Sequence, residues 1–113
     1  MPRFKLMALT NAVERREQEF EDWYERQHLP DVLRVPGMLS GQRFRRTATQ
    51  RDAGPYPWAY LTLYDVEADD PRSVIDGLNA RKGTAEMPIS PSLAGESYVC
   101  YFEPVGELQR RKG

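Results

Sequence analysis

One histidine, His28, is the residue in this chain best suited to moving protons near neutral pH. It follows Tyr24 by four positions and precedes Asp31 by three, spacings that put the three side chains on one face of a helix. Such a trio suits general acid/base chemistry. An imidazole takes or gives a proton, a phenol steadies an oxyanion, and a carboxylate orients the ring or holds a second proton. Enolisation, dehydration and aldol-type ring closure all need these roles. Each residue also has a plainer use: His28 as a cap on a helix end, Tyr24 as core, Asp31 as a charge favouring the start of a short turn. For Asp31 the plainer use is preferred. Burial would favour a neutral His28, while a nearby helix C-terminus would favour the charged form.

Further along, Arg43 and Arg45 alternate with Gly41 along a strand-like stretch, so a guanidinium there could clamp a carboxylate or enolate with two hydrogen bonds. An arginine on an edge strand is more often simply solvated. Trp58, Tyr60 and Tyr64 share one side of a later strand and would form an aromatic wall for a flat ring, or equally a packed interface. Trp23 reads as core. Tyr98 and Tyr101 fall on opposite sides of the last strand, so at most one joins that wall. Cys100 has no basic neighbour in sequence and reads as a small buried apolar residue.

The element that must position His28 runs from Asn11 to Gly37 (NAVERREQEFEDWYERQHLPDVLRVPG). Asn11 and Glu14 suggest a capping box, and Glu14, Glu17 and Glu19 crowd the positive end of the helix dipole. Phe20, Trp23, Tyr24, Gln27, His28 and Asp31 recur at steps of three and four and make one face. Arg15, Arg16, Glu19, Asp22, Glu25 and Arg26 make the solvated one. Pro30 cannot donate backward and disfavours helix at Leu29, which predicts a kink or a restart over 31–34. Pro36-Gly37 closes the segment.

Around this helix the periodicity predicts strands at Arg3–Thr10, Met38–Ala48, Trp58–Val66 and Ser97–Phe102. The second reads as an edge strand protected by its arginines. A second helix opens at Asp70-Pro71, buries Val74, Ile75 and Leu78, and stops at Gly83. Stretches 49–57 and 84–95 are rich in Gly and Pro and read as loops. The order β-α-β-β-α-β implies an α+β, ferredoxin-like sandwich with a four-stranded antiparallel sheet over residues 1–107, followed by a charged tail at 108–113. Two helices cover only one face of such a sheet. Its other face, carrying either the Trp58/Tyr60/Tyr64 set or the aliphatic set of that strand, predicts a homodimer packed sheet to sheet.

Composition narrows the function. Over 113 residues, sixteen basic and seventeen acidic side chains leave a net charge of −1, which gives no field for nucleic acid. No apolar run has the length of a membrane span, and the first residues lack the apolar core of a signal peptide. A single cysteine fits a reducing cytoplasm, and one His with one Cys cannot build a Cys/His zinc site within a chain.

The pattern W-Y-x-x-x-H-L-P-D-V-L, followed by P-G before the second strand, resembles the dimeric α/β-barrel superfamily, and within it the EthD-like small bacterial proteins. The residues that carry it are Trp23, Tyr24, His28, Leu29, Pro30, Asp31, Val32, Leu33, Pro36 and Gly37. The resemblance implies a sandwich dimer with a pocket between sheet and helices in each subunit. It also implies a range of activities: polyketide cyclases and dehydratases, muconolactone isomerases, cofactor-free monooxygenases and haem enzymes. The expectation drawn from residues and resemblance together is a cofactor-free enzyme. It would act on a small aromatic or polyketide-like carbonyl compound as a cyclase, dehydratase or isomerase, with His28 as acid/base. Two alternatives stand beside it: a non-catalytic ligand-binding or stress-associated dimer, and a monooxygenase, either cofactor-free or with haem on His28.

Overall fold

The computed structural model describes residues 1–113. Its strands are β1 (Arg3–Thr10), β2 (Met38–Arg45), β3 (Tyr60–Glu67) and β4 (Tyr98–Phe102), and its helices are α1 (Glu17–Trp23), α2 (Leu29–Leu33) and α3 (Pro71–Arg81). A π-turn, Tyr24–His28, joins α1 to α2 without a break. The four strands form one antiparallel sheet in the order β2-β3-β1-β4, the ferredoxin-like arrangement expected, with β2 at an edge.

Alternation along the strands decides what lies under the helices. Leu6, Ala8 and Thr10 of β1 and Thr62, Tyr64 and Val66 of β3 are buried on the helix side. Phe20, Tyr24, Leu29 and Val32 of the first helical segment and Val74 of α3 close over them. The aliphatic residues Leu61 and Leu63 therefore face outward, together with Met7, Cys100 and the exposed rings of Phe44, Tyr98 and Phe102. Cys100 is half-buried on that outer face rather than in the core.

The helix begins later than its sequence suggests. Asn11 makes no capping box. Its Oδ1 accepts from the Ala59 backbone N–H at 2.8 Å and its Nδ2 donates to Pro57 O at 2.8 Å, tying the 46–59 loop to the end of β1. Residues 12 and 13 pair with the 92–93 segment instead, and the first helical turn starts at Glu17. Pro30 stands in the first turn of α2, a restart as expected but opening at Leu29, two residues earlier than read. It lacks the N–H that would reach back one turn, and the chain accommodates it by widening: the Leu29 N–H bonds five residues back to Tyr24 O.

In β2 a bulge between Met38 and Ser40 puts buried Met38 on the same side as Gly41 and Arg43, and leaves Leu39 exposed, against simple alternation. Gly41 is needed where it stands, because a Cβ there would lie 2.8 Å from Leu29 Cδ1 and from Tyr64 Cδ1. α3 matches its signals: Asp70 Oδ1 caps the Arg72 N–H at 2.8 Å, and Gly83 takes φ +79° after the last turn.

Candidate functional site

The π-turn ends on His28, whose side chain lines the gap between α3 and the sheet. There lies a cavity of about 410 Å³. Its walls are mostly apolar: Leu6, Ala8 and Tyr64 from the sheet, Val32 from α2, Ile75 and Leu78 from α3, and Met87, Ile89 and Leu93 from the irregular 84–95 segment. Tyr24, Thr10 and Tyr101 add hydroxyls, and Asn79, Lys82, Ser97 and Val99 also line it.

His28 is wedged between aromatic rings. It stacks on Trp23 at 4.6 Å between centroids and meets Tyr24 edge-on at 4.8 Å. The indole is itself fixed by donating to Pro88 O at 3.2 Å. Nδ1 of His28 is buried and has no hydrogen-bond partner, and the same is true of Thr10 Oγ1. Burial lowers the His28 pKa to about 4; the Asp31 carboxylate works against that drop and Lys82 adds to it. The imidazole is therefore neutral at physiological pH. Tyr24 and Tyr64 bring their hydroxyls to 3.5 Å from each other. Burial raises the Tyr64 pKa, so its hydroxyl keeps its proton and can donate.

Of the residues singled out from sequence, the cavity brings together His28, Tyr24, Tyr64 and, from the last strand, Tyr101. Asp31 is buried but does not line the cavity, and it makes no hydrogen bond to His28. Its carboxylate accepts from Gln27 at 2.7 Å and is ion-paired with Arg34. Arg43 lies on the helix side of β2 but outside the cavity: its guanidinium is held by Glu21 at 2.6 Å and Glu25 at 3.1 Å. It rests on the rings of Tyr24, Phe20 and Tyr60, 5.0 to 5.9 Å from their centroids. Burial disfavours its charge, but the hydrogen bonds to Glu21 and Glu25 outweigh that and raise its pKa. Arg45 is exposed and 3.6 Å from Glu21. Tyr60 packs on Phe20 at 4.8 Å, and Trp58 lies in the loop before β3, so the aromatic wall is divided and only Tyr64 faces the cavity.

Thr10, Met87 and Lys82 were not singled out. Thr10 could have been found, since it shares the parity of Leu6 and Ala8 in β1. Met87 and Lys82 carry no such signal, because the loop and the helix end that place them have no periodicity.

No protein-family model matches the chain, and no curated protein matches it in sequence. Solved structures do match. An ethyl tert-butyl ether D (EthD) family protein from Bacillus halodurans is 20% identical over 91% of this chain and 99% of its own, with a TM-score of 0.62. A DABB family protein from Mesorhizobium loti, described as ferredoxin-like, is 7% identical over 94% of this chain and 100% of its own, with a TM-score of 0.52. The chain has the ferredoxin-like fold. The heme-degrader MhuD from Mycobacterium tuberculosis, with two hemes in its active site, shares that fold at 17% identity and a TM-score of 0.63, over 94% of this chain and 99% of its own. EthD proteins are thus among its structural neighbours, as the helix-end motif implies.

Proposed function

We propose that this chain is a cofactor-free acid/base enzyme acting on a small aromatic or polyketide-like carbonyl compound, as a cyclase, dehydratase or isomerase. The observation that carries this is a pair of buried, unpartnered polar groups, His28 Nδ1 and Thr10 Oγ1, on residues that line one apolar cavity. Buried polar atoms are normally satisfied, and exceptions in a cavity wall mark where a ligand completes the bonding. A non-catalytic dimer with a filled pocket would instead have both ring nitrogens satisfied and no hollow beside them.

In this scheme neutral His28 removes a proton from carbon next to the substrate carbonyl, and the Tyr64 or Tyr24 hydroxyl donates to the enolate oxygen. The His28 imidazolium then gives the proton back. In an isomerisation it goes to another carbon, and in a dehydration to the departing hydroxyl, which leaves as water. In a cyclisation it goes to the alkoxide left when the enolate carbon closes on a second carbonyl. Arg43 has no part in it, being occupied by Glu21 and Glu25. Replacing His28 by Ala should lower turnover of the true substrate about 10²- to 10⁴-fold while the circular dichroism spectrum stays unchanged. Unchanged turnover would overturn the assignment.

A haem monooxygenase is the second reading, favoured by the same residue. A neutral imidazole is what haem iron accepts as a ligand, and one fold neighbour is a heme-degrader. Adding haem should give no Soret shift if the acid/base scheme holds; a shift abolished by His28→Ala would favour haem. We further propose a cytoplasmic homodimer formed through the outer sheet faces, where Phe44, Tyr98 and Phe102 are 41% to 55% exposed. Sedimentation at twice the monomer mass would support it, and a monomer would refute it. No helix is long and apolar enough to cross a membrane.

A further inference from the structure

The cavity's mouth carries a requirement that its apolar walls do not. Among the lining residues, Asn79, Lys82, Ser97 and Val99 are exposed, and they mark where it opens to solvent. Lys82 is fixed there by its backbone. Its N–H donates to Leu78 O at 2.9 Å, it bridges to Met87, and the next N–H, of Gly83, donates to Met87 O at 2.9 Å. Its side chain is left free. The neighbouring Arg81 pairs with Glu86 at 3.5 Å and donates to Gly77 O at 2.9 Å, whereas Lys82 takes part in no ion pair. No acidic residue lines the cavity, so Lys82 supplies its only formal charge at neutral pH. That charge reaches inside, since Lys82 is one of the groups that hold His28 neutral.

We propose that Lys82, with Asn79 one turn before it on α3 and Ser97 across the opening, forms an anion subsite, and that the natural ligand is a ring compound bearing a carboxylate. The ring would fill the apolar cavity and the carboxylate would sit on the ammonium at its mouth. One unpaired lysine, without an arginine fork or a helix N-terminus, matches a single negative charge better than a phosphate. This inference rests on the cavity being a ligand site, and it narrows the carbonyl substrate to an acid.

The test compares 2-naphthoate with its uncharged isostere 2-naphthamide, by calorimetry and by NMR of the His28 ring. The full-length protein should bind the acid about tenfold more tightly than the amide, as a charge-assisted contact gives. Lys82→Gln should remove that preference without weakening amide binding, and Lys82→Arg should restore it. Equal binding of both compounds, or a preference that survives Lys82→Gln, would overturn the subsite and leave the cavity reading intact. Failure of both compounds to perturb His28 would overturn the two together.

Discussion

Two polar groups from one side of the sheet meet the same aromatic cluster, yet they are treated in opposite ways. Arg43, its side chain only 11% exposed, lies on Tyr24 with both of its acidic partners in place. His28 meets the same Tyr24 ring from the cavity side, and its Nδ1 has no partner at all. A satisfied buried charge holds structure together. An unsatisfied buried nitrogen beside a hollow costs stability until a ligand or a water reaches it. Charge and aromatic company alone therefore do not identify a site; what separates these two residues is whether the bonding is complete.

Substitutions on each side should move stability in opposite directions. Arg43→Ala leaves half-buried Glu21 with only the exposed Arg45 at 3.6 Å and strips the cover from three rings, so urea unfolding should show a loss of about 2 to 4 kcal/mol. A loss below about 0.5 kcal/mol would make that cluster a solvated surface pair and break the contrast. The histidine enters through pH. Its folded pKa of about 4 lies below the ordinary 6.5, so the unfolded chain takes up a proton first as the solution is acidified. Stability should fall between about pH 6.5 and 4 by up to about 3 kcal/mol, and His28→Gln should remove that part of the decline. A decline unaltered by the substitution would contradict the burial. The smallest effect is on the unpartnered hydroxyl: Thr10→Val should raise stability by about 1 kcal/mol, because it deletes a buried group that bonds to nothing. A loss instead would mean that the hydroxyl is already satisfied.

Sequence pattern located much of the frame. β1 spans Arg3–Thr10 as read, and α3 takes its cap from Asp70, because local alternation and short-range hydrogen bonds determine both. Period-two alternation also separated the two faces of β3, though not which would be inward; that depended on where the helices pack. The start of the first helix was not legible. Asn11 looks like a cap, but the backbone of Ala59 and Pro57, more than forty positions away, claims its side chain. The cavity was legible at its helical end, through His28 and Tyr24. Its other walls come from Met87, Ile89 and Leu93, apolar residues in a proline-rich stretch with no period to announce them. Arg43 was visible as a charge on a strand, but Glu21 and Glu25 meet it only once the helix lies across β2.

Because His28 is the only histidine, its ring resonances can be followed through a pH titration without assignment ambiguity. A midpoint near 4, with the ring signals shifting when an apolar ring compound is added at neutral pH, is the expected result. A midpoint near 6.5 and no response to such a compound would place the imidazole in open water and contradict the site.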